Sequence, residues 1–215
     1  MPRLGRRSAL KLIGTAPLAA GFAVTSAEAQ VAHQHAARAV ASTVKGAKYA
    51  PTFFTAHEWQ TVRVLVDLII PKDERSGSAT DAGVPEFMDF LMTDPAESDR
   101  TRETRQTAMR GGLAWIDTEC RRRYGQPLVA CTPAQQAALL DDIAFWKGGD
   151  EERDPEDVAQ MPMAHGPAFF ASFRDLTASG FWSSKMGVDD LGFVGNTPTT
   201  WTGPPEEVLK KLGLS

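Results

Sequence analysis

The sequence predicts an all-α fold in a single compact domain, and three observations lead to that prediction. Apolar residues recur at intervals of three and four in successive segments, helix-capping residues precede several of these segments, and no segment alternates apolar and polar residues convincingly. We therefore expect a small bundle of about five to six helices, without internal repeats and with a long aromatic-rich loop near its C-terminal end.

The first predicted helix begins after Thr55, because Thr55 and Glu58 have the spacing of a capping box. Its apolar series follows at helical spacing: Trp59, Val62, Val66, Ile69 and Ile70. Pro71 ends it, and residues 71–82 are polar and turn-rich. A second helix has Pro85 in its first turn and ends before Pro95.

A longer helix is predicted over about residues 98–124, ending at Gly125. Its apolar stripe comprises Met109, Leu113, Ile116 and Cys120. Its N-terminal half is highly charged, and we expect the following side chains to face water: Arg100, Arg102, Glu103 and Arg105.

Three further helices complete the predicted bundle. Thr132 and Gln135 form a second capping box, and that helix closes at Gly148-Gly149. After an acidic loop, a helix over about 166–179 directs Phe169, Phe170, Phe173 and Leu176 inward, with Gly180 just past its end. Residues 181–205 show no periodicity, and a short helix, 205–212, follows with acids first and lysines last.

The N-terminus has the pattern of a twin-arginine export signal. Arg6 and Arg7 are followed by Leu10 and Lys11 and then by an apolar stretch, residues 12–24. Ala27 and Ala29 flank Glu28 in a small-x-small cleavage site, so cleavage would leave Gln30 first. A membrane anchor is the alternative, but the apolar stretch is well short of the roughly 20 residues that cross a bilayer.

Three segments follow from this interpretation: a signal peptide (1–29), a linker or extended arm (30–54) and a helical domain (55–215). Twin-arginine export moves folded proteins to the periplasm, commonly because they hold a cofactor or travel with a partner that does. Removing residues 1–29 changes the formal charge from −4 to −7. Since no long basic tract remains, we exclude nucleic acid as a partner.

The chain has two cysteines, Cys120 and Cys131, near a predicted helix end and the next helix start. In an oxidising compartment the simplest prediction is one disulfide between them, which would stabilise a short loop by roughly 2–3 kcal/mol. Free buried thiols are the alternative. Two cysteines are too few for an iron–sulfur cluster.

Candidate catalytic or metal-binding residues are few. His33 and His35 lie in the predicted arm without a third ligand nearby, and His57 and His165 lie at helix starts. Asp67 interrupts an apolar stretch, so it is either a buried acid or part of a polar helix face. No nucleophile, phosphate-loop or dinucleotide motif is present, so we predict neither catalytic residues nor a metal site in this chain. The cofactor is therefore expected in a partner.

Aromatic residues in the irregular segment 181–205 are candidates for contacting that partner. They are Phe181, Trp182, Phe193 and Trp201. Exposed aromatic side chains commonly anchor protein interfaces. The alternative is that they fold back over the helices as a lid, and each description can hold for different residues.

Several motifs resemble the gluconate 2-dehydrogenase subunit 3 family. Besides the export signal, they are the segments Asp67-Leu68-Ile69-Ile70-Pro71, 79–87, Arg123-Tyr124-Gly125, Thr132-Pro133-Ala134-Gln135-Gln136, Gly180-Phe181-Trp182-Ser183-Ser184 and 190–196. The resemblance covers most of the chain after the signal, and its motifs are specific only in combination.

The resemblance implies a small, cofactor-free subunit in a heterodimer with an FAD-dependent sugar or sugar-acid dehydrogenase. That partner would be a flavoprotein of the glucose–methanol–choline oxidoreductase type, often without its own export signal, and electrons often pass on to a c-type cytochrome. The chain would carry its partner through the twin-arginine translocase and stabilise it. A free-standing periplasmic enzyme or metal-binding protein using His57, Asp67 or His165 is the alternative.

Overall fold

The computed structural model describes residues 24–43, 49–145, 165–192 and 203–213. Within these ranges the chain forms eight α-helices and no strand, which confirms the all-α prediction. The helices are α1 (Ser26–Thr43), α2 (Ala56–Ile69), α3 (Val84–Thr93), α4 (Asp99–Tyr124), α5 (Pro133–Ala144), α6 (Gly166–Trp182), α7 (Lys185–Leu191) and α8 (Glu206–Lys211), with one turn of 3-10 helix, Leu128–Ala130, before α5. None of these helices combines the length and apolar character needed to span a bilayer.

The predicted helix caps at Thr55, Thr132 and Gly125 are present. The Thr55 hydroxyl accepts from the Glu58 N–H at 3.2 Å, and the Thr55 N–H donates to the Glu58 carboxylate at 2.8 Å. Thr132 and Gln135 make the same reciprocal pair at the start of α5. Gly125 ends α4 with φ of 76°, a left-handed conformation that glycine adopts without strain. These local signals therefore define the helix boundaries.

Helix α3 is the centre of the bundle. It packs against α1, α2, α4 and α6. A helix surrounded in this way needs apolar side chains on most of its circumference, and its buried apolar residues are Val84, Phe87, Met88, Leu91 and Met92. The predicted inward stripes of α2, α4 and α6 are buried around it, whereas Ile69, Ile70 and Phe170 are only partly buried.

Two glycines allow helices to approach closely, and one of them corrects a predicted boundary. A Cβ at Gly112 of α4 would lie 1.9 Å from the Phe169 ring, and a Cβ at Gly180 of α6 would lie 2.8 Å from the Phe87 ring. Gly180 was expected to terminate its helix. Instead α6 continues to Trp182, because Gly180 serves a helix-packing contact rather than a C-terminal cap.

The extended arm predicted for residues 30–54 is wrong for residues 30–43, which belong to α1. Ala32 and Ala36 are buried where α1 packs on α3. Alanine has the highest helix propensity and leaves room for close packing, so an alanine-rich segment that resembles a linker forms a docked helix. The domain boundaries themselves stay a prediction.

Arg105 was expected to face water, but its side chain is only 4% exposed. It contacts Glu28 of α1 at 3.0 Å and Glu97, just before α4, at 3.4 Å. These carboxylates explain how a guanidinium is tolerated there, because a buried charge needs opposite charges close to it.

Candidate functional site

The predicted interface aromatics begin at the junction of α6 and α7. Phe181 and Trp182 lie in the last turn of α6 rather than in a loop, and their rings meet edge to face with centroids 5.0 Å apart. Phe181 is buried, so it is a core residue and the prediction that it faces a partner is wrong. Trp182 is 39% exposed and remains a candidate.

Helix α7 packs tightly on the end of α6. A Cβ at Gly187 would lie 2.1 Å from the Phe181 carbonyl oxygen, so only glycine fits at this position of α7. The Ser184 hydroxyl caps α7 by accepting from the Gly187 N–H at 2.9 Å. Leu191 at the far end of α7 is 60% exposed. The corner formed by α6 and α7 therefore has an exposed apolar side chain at each end, Trp182 and Leu191.

An open groove of about 660 Å³ lies beside this corner, between α1, residues 75–82 and α7. Its walls carry both signs of charge. Arg75 donates to the backbone oxygen of Asp190 and approaches the Asp190 carboxylate at 3.3 Å, while Lys185 pairs with Asp189 within α7. Because the charges largely pair with each other, the groove has no strong preference for an anion or a cation.

His33 of α1 also lines this groove. Burial lowers the pKa of His33, because a charged imidazolium is disfavoured away from water. Its neighbour in the predicted pair, His35, instead stacks on Phe90 with ring centroids 4.2 Å apart. The two histidines therefore have separate environments, and no group of three or more His, Cys, Asp or Glu side chains suited to a metal occurs among the described residues.

His57 forms the one histidine–carboxylate pair in the described ranges, with Asp117 of α4. Asp117 is buried and also accepts from the Leu128 N–H at 3.0 Å, and Arg121 lies 3.5 Å away. A pocket of about 310 Å³ adjoins the pair, and its other lining groups include Thr55, Thr61 and Thr118. The contacts of Asp117 join α2, α4 and the 3-10 turn, so the structural role of the pair is to hold these three elements together.

Asp67 and His165, the other residues considered for chemistry, have separate local partners. The Asp67 carboxylate accepts from the Thr80 N–H at 2.7 Å and holds the 71–83 loop against the end of α2. His165 precedes α6, its side chain makes no capping hydrogen bond, and its carbonyl accepts from the Phe169 N–H at 3.4 Å. The structure brings neither residue to His57.

Cys120 and Cys131 are both buried, and both are free thiols in this structure, so the predicted disulfide is not formed here. Burial, together with the neighbouring Cys131, raises the pKa of the Cys120 thiol to about 12. Cys131 donates weakly to the Gln126 carbonyl at 3.8 Å. The proximity inferred from the sequence is present, and the thiols pack there as small apolar side chains.

Sequence reasoning missed Asp89 of α3, a carboxylate that accepts four hydrogen bonds from described residues. It accepts from the Tyr49 hydroxyl at 2.8 Å and from the N–H groups of Thr52, Phe53 and Phe54 at 2.7, 2.9 and 3.2 Å. This carboxylate fixes the turn that leads into α2. The available signal was that Asp89 and Glu86 are the only two acids in an otherwise apolar run from Val84 to Met92.

The remaining predicted residues lie outside the described ranges. They are Arg6, Arg7, Leu10 and Lys11 of the export signal, and Phe193 and Trp201 of the predicted interface. Ala27 and Ala29, which belong to the predicted cleavage site, are described and lie in the first turn of α1. The roles that the sequence predicts for these residues stay predictions.

Comparison with known families gives one match. The model of the family described as Gluconate 2-dehydrogenase subunit 3 matches residues 56–203. This range includes α2 to α7 and excludes α1. No curated protein and no solved structure matches the chain.

Proposed function

The chain belongs to the gluconate 2-dehydrogenase subunit 3 family, and from that premise we propose that it is the non-catalytic small subunit of a periplasmic sugar or sugar-acid dehydrogenase. Its partner in this proposal is an FAD-containing flavoprotein of the glucose–methanol–choline type, which does the chemistry. A c-type cytochrome that accepts the electrons is a further expected partner. The family match supports membership of a dehydrogenase complex with other subunits.

The observation that carries the escort role is the sequence that precedes the family domain. A paired arginine and an apolar stretch precede α1, the small-x-small site lies in the first turn of α1, and α1 packs on the domain. An export signal attached to a folded subunit can carry whatever else is bound to that subunit. The proposed function is therefore to bind the flavoprotein in the cytoplasm, to take it through the twin-arginine translocase and to stabilise it afterwards.

Replacing Arg6 and Arg7 together by lysine tests the escort role. We expect the flavoprotein to accumulate in the cytoplasm, measured as dye-linked dehydrogenase activity and bound flavin in cytoplasmic and periplasmic fractions. Arg3→Lys is the matched control, because it makes the same change outside the pair and should leave export intact. Unimpaired export of the flavoprotein from the double variant would contradict the proposal.

We place the flavoprotein contact at the corner formed by α6 and α7. Trp182 is a large, half-exposed aromatic held in place by Phe181, and rigid aromatic anchors of this kind dominate interface energies. Trp182→Ser is expected to weaken co-purification of the flavoprotein at least tenfold. Phe145→Ser is the control, since Phe145 is more exposed and ends a different helix, α5. A larger loss from Phe145→Ser would move the interface to α5.

The alternative function, a free-standing enzyme or metal-binding protein, has one favourable observation, the His57–Asp117 pair beside a pocket. The purified chain discriminates between the two proposals. Sugar oxidation by this chain alone with a dye acceptor, or metal bound in a one-to-one ratio, would establish the alternative. Under our proposal, His57→Ala alters the stability of the subunit but leaves the KM of the assembled dehydrogenase unchanged.

A further inference from the structure

The predicted signal-peptidase site lies inside a capped helix. Ala27 and Ala29 belong to the first turn of α1, which begins at Ser26. The Thr25 N–H donates to the Glu28 carboxylate at 2.7 Å, and the Glu28 N–H donates to the Thr25 hydroxyl at 3.2 Å. This reciprocal pair satisfies N–H groups that a helix start otherwise leaves free. The bond to be cut, between Ala29 and Gln30, is therefore in regular helical backbone.

Contacts with the rest of the protein hold this turn in place. Ala29 is 9% exposed, and Ala32 and Ala36 continue the same buried face along α1. Glu28 contacts the buried Arg105 of α4 at 3.0 Å. Burial of Glu28 opposes its ionisation, but hydrogen bonds from Thr25 and Arg105 outweigh that effect and hold its pKa at about 2. The carboxylate is thus a charged partner of Arg105 over the physiological pH range.

A protease needs its substrate backbone free of helical hydrogen bonds, and cleavage within ordered elements proceeds through local opening. Presenting residues 27–30 requires the first turn of α1 to unwind and Glu28 to leave Arg105. Arg105 would then keep the contact with Glu97 at 3.4 Å but lose the shorter one with Glu28. Separating a buried guanidinium from a carboxylate is costly.

We propose that docking of α1 protects the Ala29–Gln30 bond from signal peptidase, so that the folded protein keeps residues 1–29 until α1 undocks. This inference rests on the proposed function, because it takes residues 1–29 to be the export signal. The reaction prevented is ordinary amide hydrolysis, in which water adds hydroxyl to the Ala29 carbonyl carbon and hydrogen to the Gln30 nitrogen. Retained residues would leave the apolar stretch 12–24 attached to the exported subunit.

The first test incubates the purified full-length chain with signal peptidase in detergent and follows intact mass. A synthetic peptide of residues 20–36, which lacks the rest of the protein, is the reference substrate. We expect cleavage of the peptide at Ala29 and at least tenfold slower cleavage of the folded chain. Equal rates would overturn the proposal. So would an uncleaved peptide, because folding would then not be what protects the bond.

A matched pair of variants distinguishes the effect of α1 docking on cleavage from the effect of α1 helix content. Ala36→Glu places a carboxylate in the buried face of α1, whereas Ala37→Glu makes the same change at the next, exposed position. We expect at least tenfold faster processing of Ala36→Glu than of the native chain and no change for Ala37→Glu. An Ala36→Glu chain that stays as resistant as the native chain, with a native near-ultraviolet circular dichroism spectrum, would overturn the proposal.

Arg105→Gln provides an independent variant that leaves α1 and its cleavage sequence unaltered. It removes the ionic partner of Glu28 from the other side of the contact. We expect processing about threefold to tenfold faster than in the native chain. A folded Arg105→Gln protein that is processed at the native rate would contradict the role given to this ion pair.

The intact mass of the periplasmic protein distinguishes failure of this inference from failure of the proposed function. If the chain reaches the periplasm in the form that begins at Gln30 while α1 is docked, the export role stands and the protection fails. If the chain never leaves the cytoplasm with intact Arg6 and Arg7, the export role fails. The comparison of peptide and folded chain then still decides whether docking protects the bond.

Discussion

Helices α1 and α6 both pack against α3, but they bury different kinds of side chain. Helix α6 buries large rings, Phe169, Phe173 and Phe181, whereas α1 buries the methyl groups of Ala29, Ala32 and Ala36 and is also held by the ion pair from Glu28 to Arg105 of α4. Fully burying a phenylalanine is worth about 1.5–3 kcal/mol, and a methyl group about 0.8 kcal/mol. We conclude that α6 belongs to the cooperative core and that α1 is attached more weakly.

The largest expected loss of stability comes from a substitution in α6. Phe173→Ala removes a ring that is 1% exposed, and we expect a loss of about 3–5 kcal/mol in the free energy of unfolding, from lost burial and the resulting cavity. Phe170→Ala, in the same helix but only partly buried, is the control and should lose clearly less. Urea denaturation measures both. Equal losses would mean that α6 does not present its Phe173 face to the core.

A substitution at Asp89 tests whether the protein also depends on the hydrogen bonds between α3 and residues 52–54. Asp89→Asn keeps the size of the side chain, but its amide nitrogen cannot accept from the N–H groups that now surround the carboxylate. We expect a loss of about 2–3 kcal/mol in the free energy of unfolding, in the range measured for hydrogen bonds to charged groups and for unpaired buried donors.

Asp141→Asn is the matched control for this change, because Asp141 lies exposed on α5. It should change stability by no more than about 0.5 kcal/mol. If Asp89→Asn were equally mild in urea denaturation, the turn at residues 52–54 would not depend on that carboxylate.

The contrast between α1 and α6 also explains how much of the fold the sequence could predict. Helix α6 was found because Phe169, Phe173 and Leu176 recur on one face, and α2 and α5 because Thr55 and Thr132 are capping residues with Glu58 and Gln135 at the right spacing. The sequence of α1 does not distinguish an arm from a helix, because alanine is common in both linkers and helices. Only the tertiary contact with α3 distinguishes the two.

The candidate site was less predictable than the fold for a similar reason. Phe181 and Trp182 are adjacent aromatic residues, and a helix that ends at Gly180 gives no reason to place the first inward and the second outward. Because α6 instead continues to Trp182, Phe181 lies about two turns after Phe173 on the buried face, whereas Trp182 is partly exposed. The Glu28 partner of Arg105 and the partners of Asp89 likewise come from elements far away in sequence, so these contacts follow from the three-dimensional arrangement.

The ion pair of α1 should make this helix sensitive to acid, unlike the apolar contacts of α6. The folded-state pKa of Glu28, about 2, is below its ordinary value, so the stabilisation is fully present above about pH 4.5 and is lost as the pH falls towards 2. We expect the opening free energy of α1 in the full-length chain to drop by about 1–2 kcal/mol over this range, after allowance for solvent near Glu28.

Hydrogen exchange, corrected for the intrinsic effect of pH, measures this opening free energy. Glu28→Gln should remove most of its pH dependence, whereas Glu103→Gln, at an exposed position of α4, should not. An α1 opening free energy in Glu28→Gln that depends on pH as in the native chain would show that other groups govern docking.

The smallest expected effect is that of Ala36→Gly, and it tests whether α1 opens independently of the rest of the bundle. Ala36→Gly lowers helix propensity by about 1 kcal/mol and removes one buried methyl group. Ala138→Gly makes the same exchange at an exposed position of α5. If α1 is a separate unit, Ala36→Gly should speed hydrogen exchange in α1 about fivefold or more and leave the urea midpoint unchanged, whereas Ala138→Gly should lower that midpoint. A lowered urea midpoint in Ala36→Gly would instead show that α1 is part of the cooperative core. Destabilising a helix lowers the global free energy of unfolding only if that helix unfolds together with the rest of the protein.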